Sequence, residues 1–265
     1  MLDKTFENVL FEEKDGVGYI TLNNPAQMNA VTAEVTRDLI TCIEYCEQEP
    51  ALRCVVLRGA GGNFCAGGNV KAMKERLDKG INGAKAGIRI GGEWIMRLKT
   101  ISKPTIAWIE GAAAGVGCSM AMACDFSIAA EDCKFVIAFV NIGYVPDGGI
   151  TYMLTQSVGP VKAAELMMSG KKFTGAEAAE WGMITKAVPA DQLEETVQKY
   201  IRKYSTGPSV AYGQIKKLLN DTCYPGLNLC MQGEVAAQYI CAASEDHHEA
   251  VNAFCEKRRP VFQGK

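Results

Sequence analysis

Two short glycine-rich stretches constrain this chain more than any other feature. Phe64-Cys65-Ala66-Gly67-Gly68-Asn69 and Gly111-Ala112-Ala113-Ala114-Gly115-Val116-Gly117-Cys118 each follow a strand-like apolar run, Cys54 to Leu57 and Thr105 to Ile109, and each precede a segment with helical character. A strand that bends through glycine into a helix leaves backbone N–H groups unpaired at the helix start. Two such bends can aim two donors at one point, the arrangement that stabilises a developing oxyanion. Asp147, in Val145-Pro146-Asp147-Gly148-Gly149, is then the candidate for proton chemistry beside them.

The 265 residues, 48% hydrophobic with a formal net charge of −2, are enough to bury a sizeable core in one large domain, or in one domain with a helical appendage. The charge balance argues against a nucleic-acid partner. No stretch approaches the roughly 18 apolar residues of a membrane span, and Met1 to Glu13 carries acids where a signal peptide would be apolar. The expectation is a soluble cytoplasmic protein with no membrane partner. Eleven cysteines scattered from Cys42 to Cys255 without a C-x-x-C pair fit neither a disulfide framework nor a zinc site, so no metal is expected. They read as small buried apolar residues. Cys65, inside the first glycine-rich stretch, is the one with a chemical alternative, but its only conceivable bases are His247 and His248 on a hydrophilic late helix, and packing is the stronger reading.

Coarse patterning predicts an opening hairpin, Val9 to Glu13 and Val17 to Leu22 around Asp15-Gly16. Val35, Leu39, Ile40, Ile43 and Cys46 then recur at helical spacing behind a Thr32 cap. Two strand–glycine–helix units follow: Arg53 to Arg58 with a helix near Val70 to Leu77, and Thr105 to Ile109 with a helix near Gly117 to Cys124. Short strands at Asp125 to Ala129 and Lys134 to Ile137 lead to a helix beginning near Gly148. Repeated units without dinucleotide spacing point to an α/β spiral more than a doubly wound sheet. From Pro160 onward the pattern reads as helical and strand-poor, with a spiral core over 1–200 and a helical C-terminal region over 201–265. Apolar stripes there, such as Leu227, Met231, Val235 and Gln238-Tyr239, need a surface to cover, so an oligomer is expected. Lys79 to Gly92, with five glycines among charged residues, reads as a weak helix or a flap over a pocket.

The ordered set of Asn29-Ala30, Phe64-Cys65-Ala66-Gly67, Ala114 to Ala123, Cys124-Asp125, Gly143 to Gly149, Ala179-Glu180-Trp181-Gly182-Met183-Ile184 and Arg259-Pro260-Val261-Phe262-Gln263-Gly264 resembles the crotonase superfamily, the enoyl-CoA hydratase/isomerase enzymes, over nearly the whole chain. The resemblance implies a spiral of ββα units with a helical C-terminal region, trimers or dimers of trimers, and acyl-CoA thioester substrates with no cofactor beyond that coenzyme A. Carried over residue by residue, the two oxyanion-hole amides are those of Gly68 and Val116. The two glutamates of the family's hydratases fall on Ser119 and Phe139, neither of which is a carboxylate. Asp147 instead resembles the catalytic aspartate of the ring-1,2-epoxyphenylacetyl-CoA isomerases and the related Δ3,Δ2-type isomerases, and also the nucleophile of 4-chlorobenzoyl-CoA dehalogenase.

An aspartate is a better base where desolvation disfavours its charged form, and Phe139, Val140, Ile142 and Tyr144 are placed to supply that apolar setting. The competing reading is structural: Asp before Gly-Gly at a helix start is what an N-cap looks like, and a carboxylate tied to its own helix would be a poor base. Ser119 lacks the Gly-x-Ser-x-Gly elbow of a nucleophile and reads as packing; Glu93 is a lesser candidate acid. By the resemblance, Ala66 would meet the adenine through its backbone, Met28 and Ala30 would line the nucleotide end, and Lys216 or Lys217 with Lys257 and Phe262 would approach from the C-terminal region, of this chain or of a neighbour; the structural reading of lysines on a late helix is that they are solvated. The expected activity is cofactor-independent acyl-CoA isomerisation. Hydration, hydrolysis, decarboxylation, dehalogenation and a catalytically idle acyl-CoA-binding subunit stand as alternatives.

Overall fold

A computed structural model of the chain describes residues 6–80 and 84–265, without the side chains of residues 84–91. Of the expected flap, Lys79 to Gly92, residues 81–83 lie outside the described residues, and from residue 84 the backbone is helical. Strands β1 (Val9–Lys14) and β2 (Val17–Leu22) form the opening hairpin, and Asp15 and Gly16 both take positive φ (52° and 74°), the turn that matches the twist of a tight hairpin. Helix α1 (Ala33–Gln48) is capped by the Thr32 hydroxyl, which accepts from Val35 N, and buries Val35, Leu39, Cys42, Ile43 and Cys46.

The main sheet has the order β1-β2-β3-β4-β6-β9, formed with β3 (Cys54–Gly59), β4 (Thr105–Ile109), β6 (Phe126–Ala130) and β9 (Lys186–Val188); only the β1–β2 pair is antiparallel. Strands β3 and β4 are continuous apolar runs because both faces of a parallel sheet are covered. A second sheet joins β5 (Ala112–Ala114), β7 (Lys134–Val136) and β8 (Lys172–Thr174) in the order β5-β7-β8. Successive units thus contribute one strand to each sheet before their helix: β4, β5 and α4 (Val116–Ala123), then β6, β7 and α5 (Ile150–Val158). This is the expected spiral.

Helices α2 (Val70–Asp78) and α3 (Ala84–Thr100) connect β3 to β4, and α6 (Pro160–Ser169), α7 (Gly175–Glu180), α8 (Leu193–Thr206), α9 (Ser209–Cys223), α10 (Leu227–Ala242) and α11 (Glu245–Cys255) follow. From Pro160 onward the chain is mostly helical and strand-poor as expected, with two strands the pattern did not mark: β8 at the edge of the second sheet and β9 at the edge of the main one. Both are only three residues long, too short for an alternating pattern to show. The first residues of the α10 stripe find cover within the same chain. Leu227 and Met231 are buried against Gly149 at the start of α5, in the same chain. What α10 leaves exposed is the opposite face, with Leu229 and Ile240.

Candidate active site

The two glycine-rich bends meet. Cys65 pairs with Ala113 as an isolated parallel bridge, through Cys65 N to Ala112 O (2.9 Å) and Ala114 N to Cys65 O (2.8 Å). Gly67 (φ 92°) and Gly115 (φ 51°) then turn side by side. A Cβ on Gly67 would lie 2.8 Å from Ala114 O, so both backbone conformation and space demand glycine there, while at Gly115 the positive φ alone favours it. The next residues present the amides in question. Val116 is the first residue of α4 and has no intrahelical acceptor, and the Gly68 N–H donates to no backbone group among the described residues. Both residues line one cavity of about 650 Å³.

That cavity collects most of the sequence-derived candidates. Asp147, Gly68, Val116, Met28, Ala30, Ala66, Phe139 and Tyr144 all line it. Met28 and Asn29 are consecutive non-glycine residues in the left-handed region (φ 48° and 57°). The buried Asn29 side chain holds them there: it accepts from Asn24 N and donates to Ala60 O and Asn63 O, tying the Met28–Ala30 loop to the turn after β3. The Ala66 amide donates to Met28 O (2.9 Å). Lys257 and Phe262 stand elsewhere, exposed on the C-terminal segment and outside the lining.

Two lysines are placed otherwise than the resemblance implied. Lys216 is neither solvated nor near the cavity. It is 6% exposed and pairs with Asp125 at 2.7 Å, while Lys217 pairs with Asp221 along the surface of α9. Glu93 pairs with Arg97 rather than entering the cavity. Cys65 is fully buried, its sulfur accepts from Gly67 N, and desolvation pushes its thiol up to about 12, which makes it inert packing.

The N-cap reading of Asp147 does not hold either. Helix α5 is capped from a distance: the buried Glu234 of α10 accepts from Gly149 N (2.7 Å) and Thr151 N (3.1 Å). Asp147 is left facing the cavity. Its carbonyl accepts from the fully buried Ser119 hydroxyl (2.8 Å), and Oδ2 accepts from Gln238 Nε2 (3.2 Å). Desolvation first, and the neighbouring Glu234 charge second, push its carboxyl up to about 7 from an ordinary 3.8.

His247, set by the sequence on a hydrophilic late helix, lines this cavity from α11. Its Nδ1 lies 2.7 Å from Ile142 O, which fixes that nitrogen as the N–H donor, and its ring stacks on Tyr144 at 3.9 Å. Burial holds it below the usual histidine range. Trp94 of α3, Phe254 of α11, and Lys71 and Arg76 of α2 complete a lining that is apolar inside and cationic where α2 meets solvent. None of these carried a local signal, since each reaches the cavity only through helix packing.

The chemistry such a site offers is stabilisation of a negative oxygen by two amides, with one half-neutral carboxyl within the same cavity. Residues 12–265 match the model of the enoyl-CoA hydratase/isomerase family. The chain is 34% identical to the 1,2-epoxyphenylacetyl-CoA isomerase of Escherichia coli K12, over 98% of this chain and 99% of that protein. It is 28% identical to the trans-2-decenoyl-[acyl-carrier-protein] isomerase of Streptococcus mutans, over 98% and 99%. The fold superposes on an enoyl-CoA hydratase crystal structure from Mycobacterium avium subsp. paratuberculosis with a TM-score of 0.89 at 30% identity, covering 98% of this chain and all of that one. On the family match and these likenesses, which span both isomerases and a hydratase, the chain belongs to the enoyl-CoA hydratase/isomerase family.

Proposed function

We propose that the protein is an acyl-CoA isomerase that works through a single aspartate, with no cofactor beyond the coenzyme A of its substrate. The observation that carries this reading is that Asp147 is the one carboxylate lining the cavity among the described residues. The positions where two-glutamate hydration would need acids hold Ser119, buried and hydrogen-bonded to the Asp147 backbone, and Phe139, an apolar wall. In the proposed reaction the thioester oxygen accepts from Gly68 N and Val116 N. Asp147 takes a proton from a carbon flanking the double bond, the electron pair moves onto the thioester oxygen as an enolate, and the proton returns further along the chain. A carboxyl that is half ionised near neutrality can both take and return that proton. Met28, Ala30 and Ala66 would meet the nucleotide end, with Lys71 and Arg76 near its phosphates.

The test is deuterium exchange at the carbon next to the carbonyl, and double-bond migration, with short unsaturated acyl-CoAs. Both are expected in the wild type, and a fully active Asp147→Asn would remove Asp147 from the mechanism. One observation favours a second reading, hydration or hydrolysis: His247 offers a second proton-transfer group in the cavity. Oxygen-18 from water would enter the product only in that case. We also propose a trimer or a dimer of trimers, supported by Val210, Leu218, Leu229 and Ile240 left exposed on α9 and α10; sedimentation as a monomer would refute it.

A further inference from the structure

Helix α10 sends two polar side chains, one turn apart, into the wall behind Asp147, and both are almost completely buried: Glu234 is 6% exposed and Gln238 is fully buried. Residues at i and i+4 share a helix face, so the pair approaches the segment from Val145 to Thr151 as a unit. Glu234 spends both carboxylate oxygens on amides at the start of α5. Gln238 Nε2 donates at once to Val145 O (2.7 Å) and to Asp147 Oδ2 (3.2 Å). The Val145 carbonyl dictates the orientation of that amide, because a flipped Gln238 would set oxygen against oxygen. Gln238 Oε1 is buried with no partner among the described residues. An orphaned acceptor costs free energy, so the amide is kept in place for what its nitrogen holds.

We infer that Glu234 and Gln238 are positioning residues for Asp147: Glu234 takes over the helix-start amides that Asp147 would otherwise cap, and Gln238 occupies one oxygen of the Asp147 carboxyl, leaving the other to carry the proton. Resting on the reading of Asp147 as the acid/base, this explains how an aspartate that looks like an N-cap escapes that duty. A carboxylate tied to helix amides is held in its charged form and is a weak base. Transferring the amides to Glu234 frees Asp147 and at the same time sets a like charge beside it. Burial raises Glu234 as well, while its two amide bonds favour its charged form, and that charge is what sits beside Asp147. The other groups facing Asp147 are Tyr144 of its own segment and Ser119 of α4, with His247 of α11 and Arg76 of α2 on the same cavity.

The two side chains act on the proton in opposite senses, and that provides the test. In the full-length protein, the Asp147 carboxyl is followed by carbon-13 NMR against pH, its signal identified by its absence in Asp147→Asn. Glu234→Gln removes the like charge and is expected to lower the midpoint by about one pH unit; Gln238→Met removes a donor to the charged form and is expected to raise it by about the same amount. The acid limb of the deuterium-exchange rate should move with each midpoint. If neither midpoint moves, or both move the same way, the inference is overturned whatever the activity does. If the midpoints part as expected while the pH dependence of exchange stays fixed, the inference stands and the role of Asp147 as the base falls. Should Glu234→Gln fail to fold, Gln238→Met decides alone, and a midpoint that does not rise overturns the inference.

Discussion

Two partly buried carboxylates in this molecule have opposite surroundings. Asp125 Oδ2 accepts from Thr105 N (2.8 Å), Thr105 Oγ1 (2.9 Å) and the ammonium of Lys216 (2.7 Å), which also reaches Lys103 O (3.2 Å). The pair ties α9 to the ends of β4 and β6, away from the cavity. Asp147 has one side-chain donor at 3.2 Å, a second carboxylate as neighbour, and an open face on the cavity. A buried charge with its counterion and full hydrogen bonding holds a structure together. A buried carboxyl with a like charge behind it and empty space before it is poised to exchange a proton.

The sharpest way to break this contrast is to remove the charge at each site. Asp147→Asn is expected to lower deuterium exchange roughly 10³-fold, the scale of losing a positioned acid/base, with the fold intact by circular dichroism. Lys216→Met should do the reverse. It removes the ion-pair partner of Asp125, leaving only the more distant Lys99, and is expected to cost about 3 kcal/mol in urea denaturation, with exchange per folded molecule unchanged. If Lys216→Met slowed the chemistry at full stability, the two sites would not be separable into structure and function.

A smaller effect follows from the raised carboxyl. Folded Asp147 binds its proton up to about 7, whereas in the unfolded chain it releases it near 3.8, so the native state holds the extra proton between those values. Its stabilising contribution is present below about pH 4 and is lost as pH rises through 7. Asp147→Asn has no charge to bury and is expected to be more stable than the wild type by about 1–2 kcal/mol at pH 8, with the advantage gone at pH 4. Equal stability at pH 8 would mean that the carboxyl is not strained by its site. Asp125 carries its counterion and predicts no such gain for Asp125→Asn, which should destabilise instead.

How much of this was readable in the sequence follows from the range of the interactions. The hairpin, the Thr32-capped α1 and the limits of β4 are set by neighbours a few residues apart, and they stand where the pattern places them. The glycine bends were legible because a positive φ beside another backbone leaves only one residue type. Asp147 was ambiguous locally, and it stayed so because the group that decides it, Glu234, lies 85 positions beyond Gly149 in the chain. Lys216 and Asp125, 91 apart, show the same blindness: a lysine on an amphipathic helix reads as solvated until its partner is seen. His247 could have been suspected as one of only two histidines, but the stack on Tyr144 that brings it to the cavity is tertiary.

The finest test compares two buried hydroxyls, one at each site: Ser119, which donates to one carbonyl, and Thr105, which also accepts from Asp125 N (2.9 Å) and Lys216 Nζ (3.3 Å). Ser119 Oγ on α4 donates to the Asp147 carbonyl at 2.8 Å, so it links the helix whose first amide belongs to Val116 with the segment that carries the acid. Thr105 Oγ1 donates to Asp125 at 2.9 Å and belongs to the structural cluster. Ser119→Ala and Thr105→Val each delete one hydroxyl from a buried site and should cost about 1 and about 2 kcal/mol of stability respectively, because Thr105 Oγ1 has more partners. They should differ in rate. Freed from Ser119, the Asp147 backbone loses its fixed distance from the Val116 amide, and exchange should slow about fivefold in kcat with KM held, because small misplacements of a reacting group are costly even where binding is untouched. Thr105→Val should leave both constants alone. If both variants slow exchange equally, the loss reflects general loosening of the β4–α4 unit, and the distinction between a carboxylate that holds and a carboxylate that reacts would have to be drawn elsewhere in the molecule.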